Sequence, residues 1–424
     1  MRTLRVGMVV YGDIRHDSRV QREASSLASV GHDVTIYCLA GMRQEMPQLD
    51  PAVRVVALGA APGAVRPGSP SPFRRPTTTS PVQKLVRRAT WLSSYVRSLR
   101  SWGKEVAANA SSVDVWHAHD FTGLVAIAHR VNRGARLVYD VHDLFVETGT
   151  GRLLPGVVRG AIQRYERHLV RRADLVVAVN RPLADVVATR CSPRSMVVVH
   201  NCVPSWVVPT PRPDLLRQAA GIPADRPVIL YHGLLAANRG IDRLLEALLL
   251  PALADVHLAL MGYGEMTDAL RAMAAEPRFG GRAHVLDPVS PAELLPWVAS
   301  ADVGALAMPR ASLNLYLSTP NKLFECLAAG TPVVVSDFPA IGSIVAEDPL
   351  GPLGVVCDPA NPADVARAIR ELLAADGPNQ QEMRQRCNAA ARARWNWESE
   401  AARLVAAYEQ LGSRPGDEPT DVAP

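Results

Sequence analysis

The sequence predicts an α/β chain built from two doubly wound domains, each a parallel sheet wrapped by helices. Three observations carry that prediction. The chain has 424 residues, too many for one ordinary core and suited to two domains of about 200 residues. Short Val/Leu/Ile-rich runs alternate with longer helical patterns, and this alternation occurs twice. Between the two sets lies 204–213, which holds Pro204, Pro209, Pro211 and Pro213 and few helix formers.

The runs are apolar on both faces, which suits buried parallel strands. In the first half they fall at 4–10, 33–39, 53–58, 113–117, 136–141, 175–179 and 196–200. In the second half they fall at 227–231, 256–261, 283–286, 303–308, 332–336 and 354–357. Helical patterns separate most of them, for example 18–30, 161–172, 241–249 and 363–373. The expected domains are 1–204 and 205–394. A last helix, 395–411, is expected to pack back on the first domain. The polar, Pro/Gly-rich tail 412–424 is expected to be disordered. Residues 59–80, rich in Pro, Ser, Thr and Arg, read as a mobile loop.

Composition narrows the class. Hydrophobic residues make up 48% of the chain, yet no run of 18 uninterrupted apolar residues occurs, so no transmembrane helix is expected. The first ten residues lack a signal-peptide core and cleavage site. Six cysteines lie far apart without a CxxC pair. They read as thiols of a reduced, cytoplasmic protein with no structural zinc. The net charge of +5 is uneven: residues 51–104 carry ten Lys/Arg and no Asp or Glu. The remainder is net acidic, so a nucleic-acid-binding surface is not indicated. Within that window, 84–104 interleaves Lys/Arg with Leu, Val, Trp and Tyr. Two readings stay open for it: peripheral contact with an anionic membrane, at the inner face, or a lipid-linked acceptor; or a domain helix with its apolar face in the core.

The strongest chemical signal runs from Ser318 through Thr-Pro-Asn-Lys-Leu-Phe-Glu-Cys-Leu-Ala-Ala-Gly-Thr-Pro to Val333-Val-Val. Thr319 suits an N-cap and Pro320 a first helical turn. Gly330 ends the helix. Lys322, Glu325 and Ala329 share one helical face. A helix N-terminus favours anions, so a diphosphate fits there. Lys322 would neutralise phosphate, and Glu325 would accept hydrogen bonds from a ribose diol. The plain alternative is a surface Lys–Glu pair on an amphipathic helix.

This segment resembles the donor site of retaining glycosyltransferases of family 4, the group 1 glycosyltransferases. The resemblance covers nearly the whole chain. Asp17-Ser-Arg-Val-Gln-Arg-Glu-Ala and Gly31-His-Asp-Val are similar to the family's first helix and second strand. Trp116-His-Ala-His-Asp and Tyr139-Asp-Val-His-Asp resemble two strand ends. Tyr231-His-Gly-Leu-Leu and Asn238-Arg-Gly-Ile-Asp open the second domain. The resemblance implies the GT-B fold, with a nucleotide-sugar donor bound in a cleft between domains and a glycan, lipid-linked or small-molecule acceptor. It implies donor contacts at Gly233, Arg239, Gly264, Val289, Asn321, Lys322 and Glu325, with His142 and Glu325 catalytic. Asp17, Arg19, His119 and Asp120 are weaker acceptor-side candidates. The flanking Asp140 and Asp143 leave open an ordinary solvated strand end at His142.

Two departures stand out. Leu317 occupies the place of the family's first glutamate, and Leu234 that of a phosphate-binding arginine; Lys322 is expected to replace that charge. The resemblance implies transfer of a hexose or amino-hexose, with UDP expected as the nucleotide. It also implies retention at the anomeric carbon and needs no cofactor or divalent metal. Near Asp287-Pro-Val289 the main chain is expected to meet the base. A nucleotide-sugar 2-epimerase and a non-catalytic nucleotide-sugar-binding protein are the competing readings.

Overall fold

The structure is a computed structural model that describes residues 2–40, 49–59, 81–132, 134–374 and 377–412. The loop expected at 59–80 and the tail expected at 412–424 fall, but for Gly59 and Gly412, outside the described residues. The chain forms two compact units. The first is Met1–Val199 with Ala401–Pro424, and the second is His200–Glu400.

The first unit is a seven-stranded parallel sheet. Its strands are β1 (Arg5–Val10), β2 (Asp33–Leu39), β3 (Val53–Leu58), β4 (Val115–His119), β5 (Arg136–Val141), β6 (Leu175–Ala178) and β7 (Met196–Val198). Their order is β3-β2-β1-β4-β5-β6-β7. The order reverses direction beside β1, so the crevice where ligands collect lies past the C-terminal ends of β1 and β4. The second unit is a six-stranded parallel sheet: β8 (Val228–Leu234), β9 (His257–Tyr263), β10 (Ala283–Leu286), β11 (Val303–Leu306), β12 (Val333–Ser336) and β13 (Gly354–Cys357). Their order is β10-β9-β8-β11-β12-β13, with the reversal between β8 and β11. All thirteen apolar runs of the sequence are strands. The central strands are buried on both faces because helices cover both sides, while edge strands β3, β7 and β10 are only partly buried. In β8, Val228 and Leu230 face one core with Met261, Phe324 and Leu327. Ile229 and Tyr231 face the other with Leu244, Leu260 and Val334.

β4 sits two residues later than the sequence suggests, ending at His119 rather than 117. Arg5 fixes its start by bonding Asp114 through backbone and side chain. The helix Trp397–Gly412 contributes to both units. Glu400 accepts from the His200 backbone at 2.9 Å in the second, and Tyr408 bonds His117 at 2.8 Å in the first.

The basic segment lies in the helix Pro81–Asn109. The side chains of 84–92 lie outside the described residues. Beyond them Leu99, Trp102 and Val106 are buried, while Arg97, Arg100 and Lys104 are exposed. That part is a core-packing helix with its charges outward. Among the described residues no helix is long and apolar enough to cross a membrane. All six cysteines are buried and none is in a disulfide.

Candidate functional site

In the second unit a pocket of about 290 Å³ opens at the C-terminal ends of β8 and β9. It is lined by His232, Gly233, Val289, Asn321, Lys322 and Glu325, among others. The backbone makes room first. Gly233 has φ of +106°, a conformation that side-chain-bearing residues rarely adopt. Opposite it in β9, a Cβ on Gly262 would sit 1.8 Å from the Gly233 carbonyl oxygen. The close approach of the two strand ends requires glycine at 262, and the backbone conformation favours it at 233.

The helix Asn321–Ala328 enters the pocket with its N-terminus. Pro320 is extended, with ψ of 142°, so the helix begins one residue later than the sequence suggests. Pro320, at the N-cap, offers no side-chain cap of its own, and a helix N-terminus favours an anion. Lys322 Nζ lies 3.7 Å from the centroid of the Tyr231 ring. Burial, with nearby Arg239 and against the opposing pull of Glu325, lowers the lysine to about 7. Such a group is ready to take a proton when a phosphate arrives. Glu325, one turn further, accepts from or shares a proton with His232 Nε2 at 2.7 Å. Asn321 Oδ1 accepts from Asn201 Nδ2 at 3.0 Å.

The remaining donor candidates divide. Val289 lines the pocket beside Pro288. Arg239 follows Asn238, whose φ is +63°, and its charge reaches Tyr231 and Lys322. Gly264 lies past the pocket wall. A Cβ there would meet the Leu235 carbonyl oxygen at 2.1 Å, so chain packing alone demands glycine.

The first unit gathers a different site around Asp140, at 0% exposure. Arg19 binds it bidentately, both contacts at 2.8 Å, and donates to the Val199 carbonyl at 2.6 Å. Glu23 pairs with the same guanidinium at 3.0 Å. His119 Nδ1 and His142 Nε2 reach one Asp140 oxygen at 3.1 and 2.7 Å. His142 Nδ1 faces Asp120 at 3.5 Å. Burial alone would favour a neutral imidazole; Asp120 and Asp140 outweigh it and raise His142 to about 10. Burial raises Asp140, but Arg19 and His142 pull it well below the carboxylate range. Glu23, further in, goes the other way: burial lifts it to about 7 despite Arg19.

Four residues here, Glu23, His117, His119 and Asp140, bring possible ligand atoms within 4.8 Å of one another. Arg19 hydrogen-bonds Asp140 and forms an ion pair with Glu23. Of the acceptor-side candidates, Asp17 caps the helix Ser18–Ser29 by accepting from the Val20 amide. Arg19 and His119 are buried in the Asp140 cluster. Asp120 holds the His142 amide at 3.3 Å and takes the strained φ of +56° at the strand-to-helix turn.

Sequence reasoning missed His232, Asp140 and Glu23 as site residues. The signal for His232 was its register: it continues the Val228–Leu230 face of β8, where a polar side chain must find a buried partner. Asp140 is not the solvated flank of His142 but its buried support.

The chain is similar to known proteins across both units. Residues 17–202 match the glycosyl transferase 4-like domain model, and residues 226–375 match that of glycosyl transferases group 1. A D-inositol 3-phosphate glycosyltransferase of Xylanimonas cellulosilytica is 31% identical over 297 residues, 66% of this chain and 67% of that protein. An MMP alpha-(1->4)-mannosyltransferase of Mycolicibacterium hassiacum is 28% identical over 434 residues, 96% of this chain and 95% of its own. Among solved structures, sucrose-phosphate synthase from Thermosynechococcus elongatus superposes with a TM-score of 0.71. It is 18% identical and covers 97% of this chain and 99% of its own. The HepE protein of Anabaena, solved in complex with UDP, gives 0.68 at 15% identity, covering 96% of this chain and 100% of its own. The fold is GT-B, and the chain belongs to the group 1 glycosyltransferases of the family 4 type.

Proposed function

We propose that this glycosyltransferase moves a hexose or amino-hexose from a nucleoside-diphosphate sugar, a UDP-sugar first among them, to an acceptor hydroxyl with retention at the anomeric carbon. The observation that carries the reading is the second unit's pocket. It combines a helix N-terminus, a lysine poised to charge and a histidine-held carboxylate within one helical turn. The diphosphate is assigned to Asn321 and Lys322, with Arg239 nearby. The ribose diol is assigned to Glu325, and the base to the main chain at Pro288 and Val289.

The chemistry follows from charge. As the bond from the anomeric carbon to the diphosphate oxygen breaks, negative charge grows on the leaving group. Lys322, Arg239 and the helix N–H groups stabilise it where water is scarce, so the reading needs no divalent ion. Among the pocket-lining residues the carboxylate is Glu325, already engaged by His232. A double displacement through paired carboxylates is therefore not favoured. In the front-face route the acceptor oxygen bonds the anomeric carbon, and its proton passes to the departing diphosphate. The first unit is assigned the acceptor, with His142 as the cationic group of its site.

A screen of UDP-, GDP-, ADP- and dTDP-sugars, read by nucleotide release with trial acceptors, tests the donor. The anomeric configuration of the product, read by NMR, tests retention. Glu325→Ala and Arg239→Ala are each expected to lose measurable transfer while unfolding as the parent does. Parental turnover in either variant would sink the site assignment.

A further inference from the structure

Glu325 and Lys322 stand three residues apart on one helix, the spacing at which a glutamate and a lysine ordinarily pair. Here they do not appear as an ion pair. Lys322 Nζ rests over the Tyr231 ring, and Glu325 Oε2 is 2.7 Å from His232 Nε2. His232 is 4% exposed, fixed at the end of β8 on the face that packs against this helix. A glutamate has two free torsions before its carboxylate, and on a helix surface it samples several rotamers. Binding a vicinal diol requires both hydroxyls to find the carboxylate in one orientation. A buried imidazole bonded to one carboxylate oxygen removes that freedom and leaves Oε1 to receive hydroxyls.

We propose that His232 is a positioning residue for the donor site: it locks the Glu325 carboxylate for a ribose diol and keeps it from neutralising Lys322, which stays available for phosphate. The inference rests on the nucleotide-binding reading of the pocket. It also connects the two departures from the family pattern. With Leu234 and Leu317 contributing no charge, the pocket depends on one carboxylate and one lysine remaining separate.

The test is calorimetric titration of the full chain with the nucleoside diphosphate that binds best and with its 2′,3′-dideoxy analogue. The parent, His232→Ala and His232→Gln are compared. The parent is expected to prefer the ribose form by tenfold or more. His232→Ala is expected to bring that preference close to one, and His232→Gln, whose amide nitrogen stands near the place of the imidazole Nε2 and can still donate to the carboxylate, to restore most of it. In turnover, His232→Ala is expected to raise the donor KM more than it lowers kcat. If His232→Ala and His232→Gln keep the parent's ribose preference, His232 does not position Glu325. Equal loss of both nucleotides in His232→Ala and His232→Gln means local disruption, and also overturns the proposal. A parent that binds nucleotide without ribose preference contradicts the Glu325 assignment itself; a parent that binds none contradicts the pocket reading.

Discussion

Both units place a histidine at the C-terminal end of a parallel strand, 2.7 Å from a carboxylate. The pairs look alike and work in opposite senses. In the first unit the carboxylate, Asp140, is fully buried and the histidine, His142, is 19% exposed. In the second the histidine, His232, is buried and the carboxylate, Glu325, is 15% exposed on the pocket wall. Burial decides which member can meet a ligand and which one holds it. Asp140 serves His142, and His232 serves Glu325. Charge follows the same division, since the first pair presents a cation outward and the second an anion.

The largest test removes the support in the first unit. Asp140→Asn leaves Arg19 buried without its bidentate partner, and loss of one member of a buried charge pair costs about 3–5 kcal/mol. Urea unfolding should show that loss, whereas Glu325→Gln should cost less than about 1 kcal/mol, because its carboxylate meets the pocket. Equal costs would break the comparison.

Next in size is the outward member of the second pair. Glu325→Ala should weaken nucleotide binding by about 10- to 100-fold, the range for hydrogen bonds to a charged group. Calorimetry on the purified chain checks it, and His142→Ala should leave that affinity unchanged.

A smaller effect is a pH dependence in the same pocket. Lys322, lowered to about 7, is protonated below neutrality and must take up a proton to meet phosphate above it. Nucleotide affinity should therefore fall above pH 7, by up to about tenfold per pH unit. Lys322→Arg, charged throughout, should flatten the profile between pH 7 and 9. A parent profile already flat over that range would contradict the poised lysine.

The smallest effect concerns His142. Its folded value, about 10, exceeds the ordinary 6.5. The stabilisation it supplies is complete below about pH 6.5 and is lost as pH rises through about 10. Asp120 is 44% exposed, so Asp120→Asn should cost only about 0.2–1 kcal/mol and lower the His142 titration seen by NMR. An unchanged titration would assign the whole effect to Asp140.

The fold was legible because buried parallel strands advertise themselves as short apolar runs, and all thirteen lay in the sequence. The Lys322–Glu325 spacing was legible for the same kind of reason: one helix places both side chains by periodicity. The supports were not. Asp140 meets Arg19 across 121 residues and Glu325 meets His232 across 93, and local pattern carries no information about such pairings. What the sequence did hold was the register of β8, which turns His232 toward the core. The range of β4 went wrong by two residues, since it was read from apolar character alone, while Asp114 is held by Arg5 just before the strand.

The central claim is that the second unit's pocket binds a nucleoside diphosphate through Glu325. Titration of the full-length protein with UDP, GDP, ADP and dTDP measures this directly. At least one nucleotide should bind the parent, and Glu325→Ala should weaken that binding at least tenfold with its unfolding midpoint unchanged. Binding of none of the four, or equal binding by parent and variant, would contradict the account.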